Sequence, residues 1–553
     1  MKSIYSAKLF LLAGVLALVT LQQVSPALAQ KLEIEEVEGY PSAHVCKTCH
    51  PRHFDEWRVS NHAYGQLSPF MNNLNKLTHQ KTYGSAGTFC VRCHSPMSVI
   101  LGEDPNTPVS LRNTVSIEGI TCIACHRQMK NHGKTRGEVV VLPGSIDEKP
   151  LFGPFPGVDQ DPEKGIKQVQ IGREGQLTHK AVGFQNIREA QFCGQCHDVP
   201  VPNGFRLEDL FGEWRNSPAA REGTTCQDCH MGVIQGVKSP RATGQIAVIQ
   251  GKTFPERTLS DHFFAGPDYS VLDVDEFPLR RFEWPVLMDD PNFDNWIAGV
   301  RKKQSEGAKL TPLDERKYKK YQTLVDKSEE LLAAAKRKRH ELLKNASVMT
   351  VNVPDTVKRG DKLPISVTIE NKINGHSFPA GFNTERQIWL AVTVRNDKGE
   401  TVYKSGDLDS GGDLRDEKSL DVMRGKAPFD FDLFNLQSKF KLKTVAGTER
   451  SDHFFFPRDI DNFMIVRPMP FPSASFNGPP PVRIQKNGIP PLESRTADYK
   501  VKAGDSQYYD VSVKFNFRNF APAVLVQLDA DALVPRLQIV ELDSKDVRVK
   551  VVD

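Results

Sequence analysis

All ten cysteines of the 553-residue chain fall into five copies of one pattern, C-x-x-C-H, at 46–50, 90–94, 122–126, 193–197 and 226–230. Two thiols at this spacing can add to the two vinyl groups of one porphyrin. The histidine that follows can then ligate the iron from the same side. The pattern predicts five covalently attached haem c groups, held through Cys46, Cys49, Cys90, Cys93, Cys122, Cys125, Cys193, Cys196, Cys226 and Cys229, with His50, His94, His126, His197 and His230 as proximal iron ligands. Rival uses of cysteine fit poorly. Zinc sites need paired halves and no histidine after every second cysteine. Thioredoxin-like dithiols do not come five to a chain, and disulfide frameworks belong to short secreted domains.

A haem iron has a second axial position, and ten of the fifteen histidines lie outside the motifs. His62 follows His50 by twelve residues. On a helix that is about 18 Å, too far for the same haem and suited to a neighbouring one. His262, His179 and His132 stand near the motifs and away from charge runs, and complete the main set of distal candidates; His44 and His376 are the secondary ones. His53, three residues past His50, shares its helical face and is expected to serve the surface or a hydrogen bond. His340 sits among lysines and arginines and is expected to be solvated, while His79 and His453 have only their position in favour of ligation. No motif ends in lysine, so nothing marks a lysine-ligated catalytic haem. A short unit, Glu56-Trp57-Arg58-x-Ser60, recurs as Glu213-Trp214-Arg215-x-Ser217; Ala219 takes the place of His62, so the two copies cannot ligate alike.

The elements that must position these groups fall into four stretches. In residues 1–29, Lys2 and Lys8 flank the start of an apolar run from Leu9 to Val19, and Ala27-Leu28-Ala29 is a small-x-small cleavage signature. This reads as a signal peptide cut after Ala29, implying a periplasmic or otherwise secreted protein with no transmembrane anchor after cleavage. The run falls short of the ~20 residues a membrane span needs. Residues 30–300 form the expected pentahaem domain, mainly α and irregular, with short helices between Pro/Gly-punctuated loops because haems replace much of the core. Residues 301–346 form a helical connector: Leu313, Tyr321, Val325, Leu332 and Leu342 recur at helical spacing among charged residues. From 347 to 553 the period becomes two, as in Leu363-Pro364-Ile365-Ser366-Val367 and Ile388-Trp389-Leu390-Ala391-Val392. That predicts an all-β, sandwich-like domain, interrupted by a Pro-rich surface loop from Met464 to Pro491. A formal charge of +4 and a mean hydropathy of −0.42 indicate a soluble chain and no nucleic-acid partner.

The stretch Cys46-Lys47-Thr48-Cys49-His50, followed by Trp57-Arg58-Val59-Ser60-Asn61-His62-Ala63, resembles the opening of the cytochrome c-554 family. The units at Cys90, Gly119-Ile120-Thr121-Cys122 and Cys193 follow that family's order, so the resemblance covers roughly residues 40–200. The fifth unit, at Cys226, departs from it and is similar to units of pentahaem nitrite reductases and larger multihaem cytochromes. The stretch Gly375-His376-Ser377-Phe378-Pro379-Ala380-Gly381 resembles a β-domain appended to many multihaem cytochromes. Asp261-His262-Phe263-Phe264 looks like the segment after the last haem in such chains, where a distal histidine is expected, and a histidine ahead of the fourth motif favours His179.

The resemblance implies periplasmic electron transfer with redox-protein donors and acceptors, and the β-domain is expected to cap the haems or to dock at a membrane surface or partner. Whether the protein is an enzyme stays open. The favoured reading is an electron carrier. The alternative is a multihaem oxidoreductase with one open haem, acting on nitrite, hydroxylamine, nitric oxide or peroxide.

Overall fold

The computed structural model describes residues 36–37, 39–129, 137–146, 148–154, 179, 181–201, 206–249, 252–253, 256–279, 282, 292–443, 448–454 and 482–553. The signal-peptide stretch 1–29, His132 and most of the Pro-rich insert lie outside the described residues. Among those described, no helix is long and apolar enough to cross a membrane.

The chain from 36 to 282 consists of short helices and two-stranded ladders. Each C-x-x-C-H motif overlaps a short helical turn: Ala43–Lys47 and Ala190–Gly194 end inside the first and fourth motifs, while Val91–His94, Cys122–His126 and Cys226–His230 reach the motif histidine. The amides of His50, His94 and His197 donate to the carbonyl of the first cysteine in their motifs at 2.8, 3.3 and 3.0 Å. Residues three and four apart on such a turn share a face, so both thiols and the imidazole leave the backbone on one side. One turn is not stable alone, and caps hold it. Ser42 accepts from the His44 amide at 3.2 Å, and the Thr225 amide donates to the Asp228 carboxylate at 2.9 Å. The apolar interior is divided into small clusters, one around Phe54, Trp57, Tyr64 and Phe282 and another around Met97, Val115 and Ile123.

The helix Phe293–Ser305 leads into a 35-residue helix, Pro312–Ala346. Thr311 caps the latter by accepting from the Asp314 amide at 3.1 Å, and Pro312 at the first position costs nothing because its missing N–H would have no partner there. Tyr321 and Val325 pack on Phe293 and Ile297, while Leu342, Leu343 and Ala346 join the core of the sheets that follow. Lys327 to Asp55 (2.8 Å) and Lys338 to Asp261 are ion pairs that bind this helix to the motif region.

Beyond Ala346, two sheets share one core. Lys362–Asn371 is the centre of a three-stranded antiparallel sheet, between Ser347–Asn352 and Ser494–Lys502. The five-stranded sheet runs Thr356–Lys358, Val540–Val552, Tyr508–Arg518, Gln387–Asn396, Thr401–Ser405. Alternation drives the packing: Leu363, Ile365, Val367 and Ile369 are buried on one sheet, and Val392, Val394, Val513 and Phe515 meet them from the other. A turn forms at Asn396, with the Gly399 amide donating to the Asn396 carbonyl at 2.9 Å. The Pro-rich insert needs correction where it is described: Val482–Gln485 is a strand paired with Lys439–Lys443, and Val482 is fully buried.

The sheets are fastened to the motif region. Phe70 stacks on Phe520 at 4.6 Å, Arg386 is paired with Asp268, and Lys486 reaches Asp209 at 2.7 Å. The loop after Lys362–Asn371 is braced by Asn371, whose amide group donates to the carbonyls of His376, Ile489 and Pro490 at 3.2, 2.9 and 3.0 Å.

Candidate haem-binding sites

Four motif histidines each face another imidazole. Ring centres are 6.1 Å apart for His50 and His179, 6.2 Å for His197 and His62, 6.4 Å for His126 and His262, and 6.4 Å for His230 and His376. Two imidazoles on opposite sides of one metal ion, each with a ~2 Å metal–nitrogen bond and a ring centre roughly 1 Å further back, are about 6 Å apart between centres. Among the described residues no group of three or more His, Cys, Asp or Glu side chains converges on a bare ion. Opposed pairs suit an iron whose four equatorial ligands come from a porphyrin, so the residues present fit haem.

Hydrogen bonds select which ring nitrogen is available. The Nδ1 atoms of His50, His126 and His230 lie 2.8, 2.7 and 3.2 Å from the carbonyls of Ile246, Phe152 and Ala265. Those of His262 and His376 lie 2.9 Å from the carbonyls of Ser260 and Ser377. A nitrogen bonded to a carbonyl carries the proton, which leaves Nε2 with a lone pair for a metal. His79 and His453 are arranged the other way. Their Nε2 atoms meet the carbonyls of Gly87 at 2.8 Å and Lys418 at 3.1 Å. Burial, with neighbouring imidazoles adding to it, favours the neutral form of three of these rings: it lowers His62 to about 3, and His126 and His230 to about 4. Burial also lowers His197 and His262.

His94 differs. Burial lowers it to about 4, and its imidazole is hydrogen-bonded to the Gly65 backbone, but among the described residues no second imidazole is paired with it. His44 stands against Phe54 at 5.5 Å and Phe282 at 6.2 Å. His53 is half-buried: it stands edge-on to His262 at 4.8 Å and to His50 at 6.1 Å, and burial lowers it to about 3. His340 is half-buried rather than solvated, because its helix lies on the motif region there.

The ten cysteines form no disulfides. Thiols of different motifs lie beside one another: Cys122 by Cys46, Cys93 by Cys196, and Cys193 by Cys226. One contributor is not visible in the motif pattern. Glu118 is buried and accepts from the Ser42 and Thr121 hydroxyls and, at 3.0 Å, from the Ala43 amide. It thereby joins the turn of the first motif to that of the third. Burial raises its carboxyl to about 7. The signal available beforehand was an acid three residues before a threonine that opens a helical turn.

Opposed, Nε2-free imidazoles on C-x-x-C-H turns define a protein built to hold several haems. Residues 45–127, which contain the first three motifs, match the family described as cytochrome c554 and c-prime. The fold is like that of a penta-haem cytochrome c552 from Thermochromatium tepidum, at 15% identity and a TM-score of 0.50, over 94% of this chain and 100% of that one. The likeness therefore runs on into the C-terminal sheets. No curated protein matches the chain by sequence. Residues 45–127 are thus similar to a c-type cytochrome family, and the chain as a whole has a multihaem-cytochrome-like fold.

Proposed function

We propose that the protein is an extracytoplasmic electron carrier that holds five c-type haems. Each is attached through the two cysteines of one motif, with His50, His94, His126, His197 and His230 as proximal ligands. His179, His262, His62 and His376 serve as distal ligands opposite His50, His126, His197 and His230. The four imidazole pairs about 6 Å apart carry this reading. Haem supplies a one-electron couple at its iron. The protein clamps each axial pair so that little ligand rearrangement accompanies a change of charge, and its buried surroundings keep water from the sites. The cross-motif thiol contacts support a neighbour order of first with third, second with fourth, and fourth with fifth.

The remaining assignments follow the same reading. Residues 1–29 are a signal peptide, and residues 30–300, 301–346 and 347–553 are the haem domain, connector and sandwich-like domain. The last of these contributes His376 and so caps the fifth haem. Its exposed Phe431, packed on Phe429 at 4.8 Å, is the feature that supports docking to a redox partner or a membrane surface.

A second reading, an oxidoreductase with one open haem, is favoured at one place only, the haem of His94. His132 is the candidate for its distal position: Gly137 lies against the Cys93 sulfur, and five residues of chain reach at most about 18 Å. Electron paramagnetic resonance of the oxidised protein tests both readings. A carrier gives low-spin haem alone. A high-spin signal that shifts with nitrite or cyanide, lost from neither His179→Ala nor His262→Ala, would establish the open haem and overturn the carrier.

A further inference from the structure

The repeated Glu-Trp-Arg-x-Ser unit is not used in the reading above, yet its two copies make matching contacts. The indole N–H of Trp57 donates to the Ile120 carbonyl at 2.8 Å, and that of Trp214 donates to the Thr224 carbonyl at 2.9 Å. Ile120 and Thr224 each stand two residues before the first cysteine of a motif, Cys122 and Cys226. Their amides donate back to the repeat, Ile120 to the His62 carbonyl at 3.0 Å and Thr224 to the Ala219 carbonyl at 2.9 Å. His62 and Ala219 are equivalent positions. Ser60 and Ser217 cap the intervening turns, accepting from the Ala63 and Ala220 amides at 3.4 and 3.3 Å.

The glutamates complete the match. Glu56 takes Arg52 on Oε1 at 2.8 Å and the His262 amide on Oε2 at 2.9 Å. Glu213 takes Lys486 on Oε1 at 3.0 Å and the Ser377 amide on Oε2 at 2.9 Å. His262 faces His126, which closes the Cys122 motif. Ser377 follows His376, which faces His230, at the end of the Cys226 motif. Local sequence cannot impose this, because Trp57 and Trp214 reach across 63 and 10 residues, and the glutamates across 206 and 164. The two pairs held in this way are also nearly parallel, with ring planes at 22° and 18°, whereas both other pairs stand at 43°.

We propose that Glu-Trp-Arg-x-Ser is a duplicated clasp that grips both walls of one haem site. The tryptophan holds the backbone leading into the C-x-x-C-H turn. The glutamate, paired with a cation on one oxygen, accepts on the other a hydrogen bond from the segment bearing the opposite imidazole. Glu56 and Glu213 are thus positioning residues for His262 and His376. The proposal rests on the ligand pairs assigned above.

The test uses electron paramagnetic resonance and potentiometry on the holoprotein. Near-parallel axial imidazoles give a rhombic low-spin signal, and rotation toward perpendicular raises its largest g value. His376→Ala should turn one haem in five high-spin, which identifies that site's signal. Glu213→Ala should raise the largest g value of that same haem, or turn it high-spin, and leave the other four unchanged. Glu213→Gln keeps an acceptor oxygen and should restore the parent spectrum. A parent-like spectrum and parent potentials for Glu213→Ala, alongside a high-spin haem in His376→Ala, would overturn the clasp alone. No change in His376→Ala would overturn the ligand pair and the clasp together. If Glu213→Ala yields no holoprotein, Glu56→Ala compared with His262→Ala decides on the same terms.

Discussion

Replacing Glu118 with glutamine should remove a defined part of the protein's pH dependence. The carboxyl is buried, and its surroundings raise it from 4.5 to about 7. The direction follows from linkage: between these values the native state keeps a proton that the unfolded chain releases, so stability falls as pH rises through that window. At ~1.36 kcal/mol per pH unit, the group costs the fold about 3 kcal/mol once both states are ionised. Glutamine stays neutral throughout and keeps one acceptor oxygen, for the Ser42 or the Thr121 hydroxyl but not both. Denaturant unfolding of the holoprotein, followed at the haem absorbance between pH 4 and pH 8, gives a difference curve of parent minus Glu118→Gln. That curve should drop by about 3 kcal/mol across the range. A flat difference curve would refute the reasoning, because it would mean the carboxylate is as well solvated inside the fold as outside it.

Cys226→Ser with Cys229→Ser should lower the haem content from five to four per chain, read by intact mass and by the pyridine haemochrome. His179→Ala should turn one haem high-spin, whereas His79→Ala should leave the spectrum unchanged, because the His79 Nε2 is already held by the Gly87 carbonyl; equal effects of the two would contradict the assignment. Gly119→Ala should destabilise the protein by more than about 1–2 kcal/mol, seen as a lowered thermal midpoint. The residue sits at φ +65°, and a Cβ there would lie 2.4 Å from the His62 carbonyl oxygen.

The haem-attachment motifs were legible because they are local. Two cysteines and a histidine within five residues define one helical turn and one porphyrin edge, and nothing distant can alter that spacing. The C-terminal strands were legible for a related reason, since Leu363, Ile365, Val367 and Ile369 alternate on a half-buried surface. The strand Val540–Val552 was not singled out: Val540, Leu542, Val547, Val549 and Val551 alternate, but the polar stretch 543–546 interrupts the run and most of its length is exposed. The pairing of histidines could not be read along the chain either. His376 stood only among the secondary candidates, little ahead of His79 or His453. What separates them is a loop braced by Asn371 and anchored by Glu213, which brings one imidazole opposite His230 with Nε2 uncommitted. Covalent adjacency is written in the order of residues, so the chain alone determined where the five C-x-x-C-H units stand. Which imidazoles meet across a site depends on backbone segments more than a hundred residues apart, and only their packing decides that.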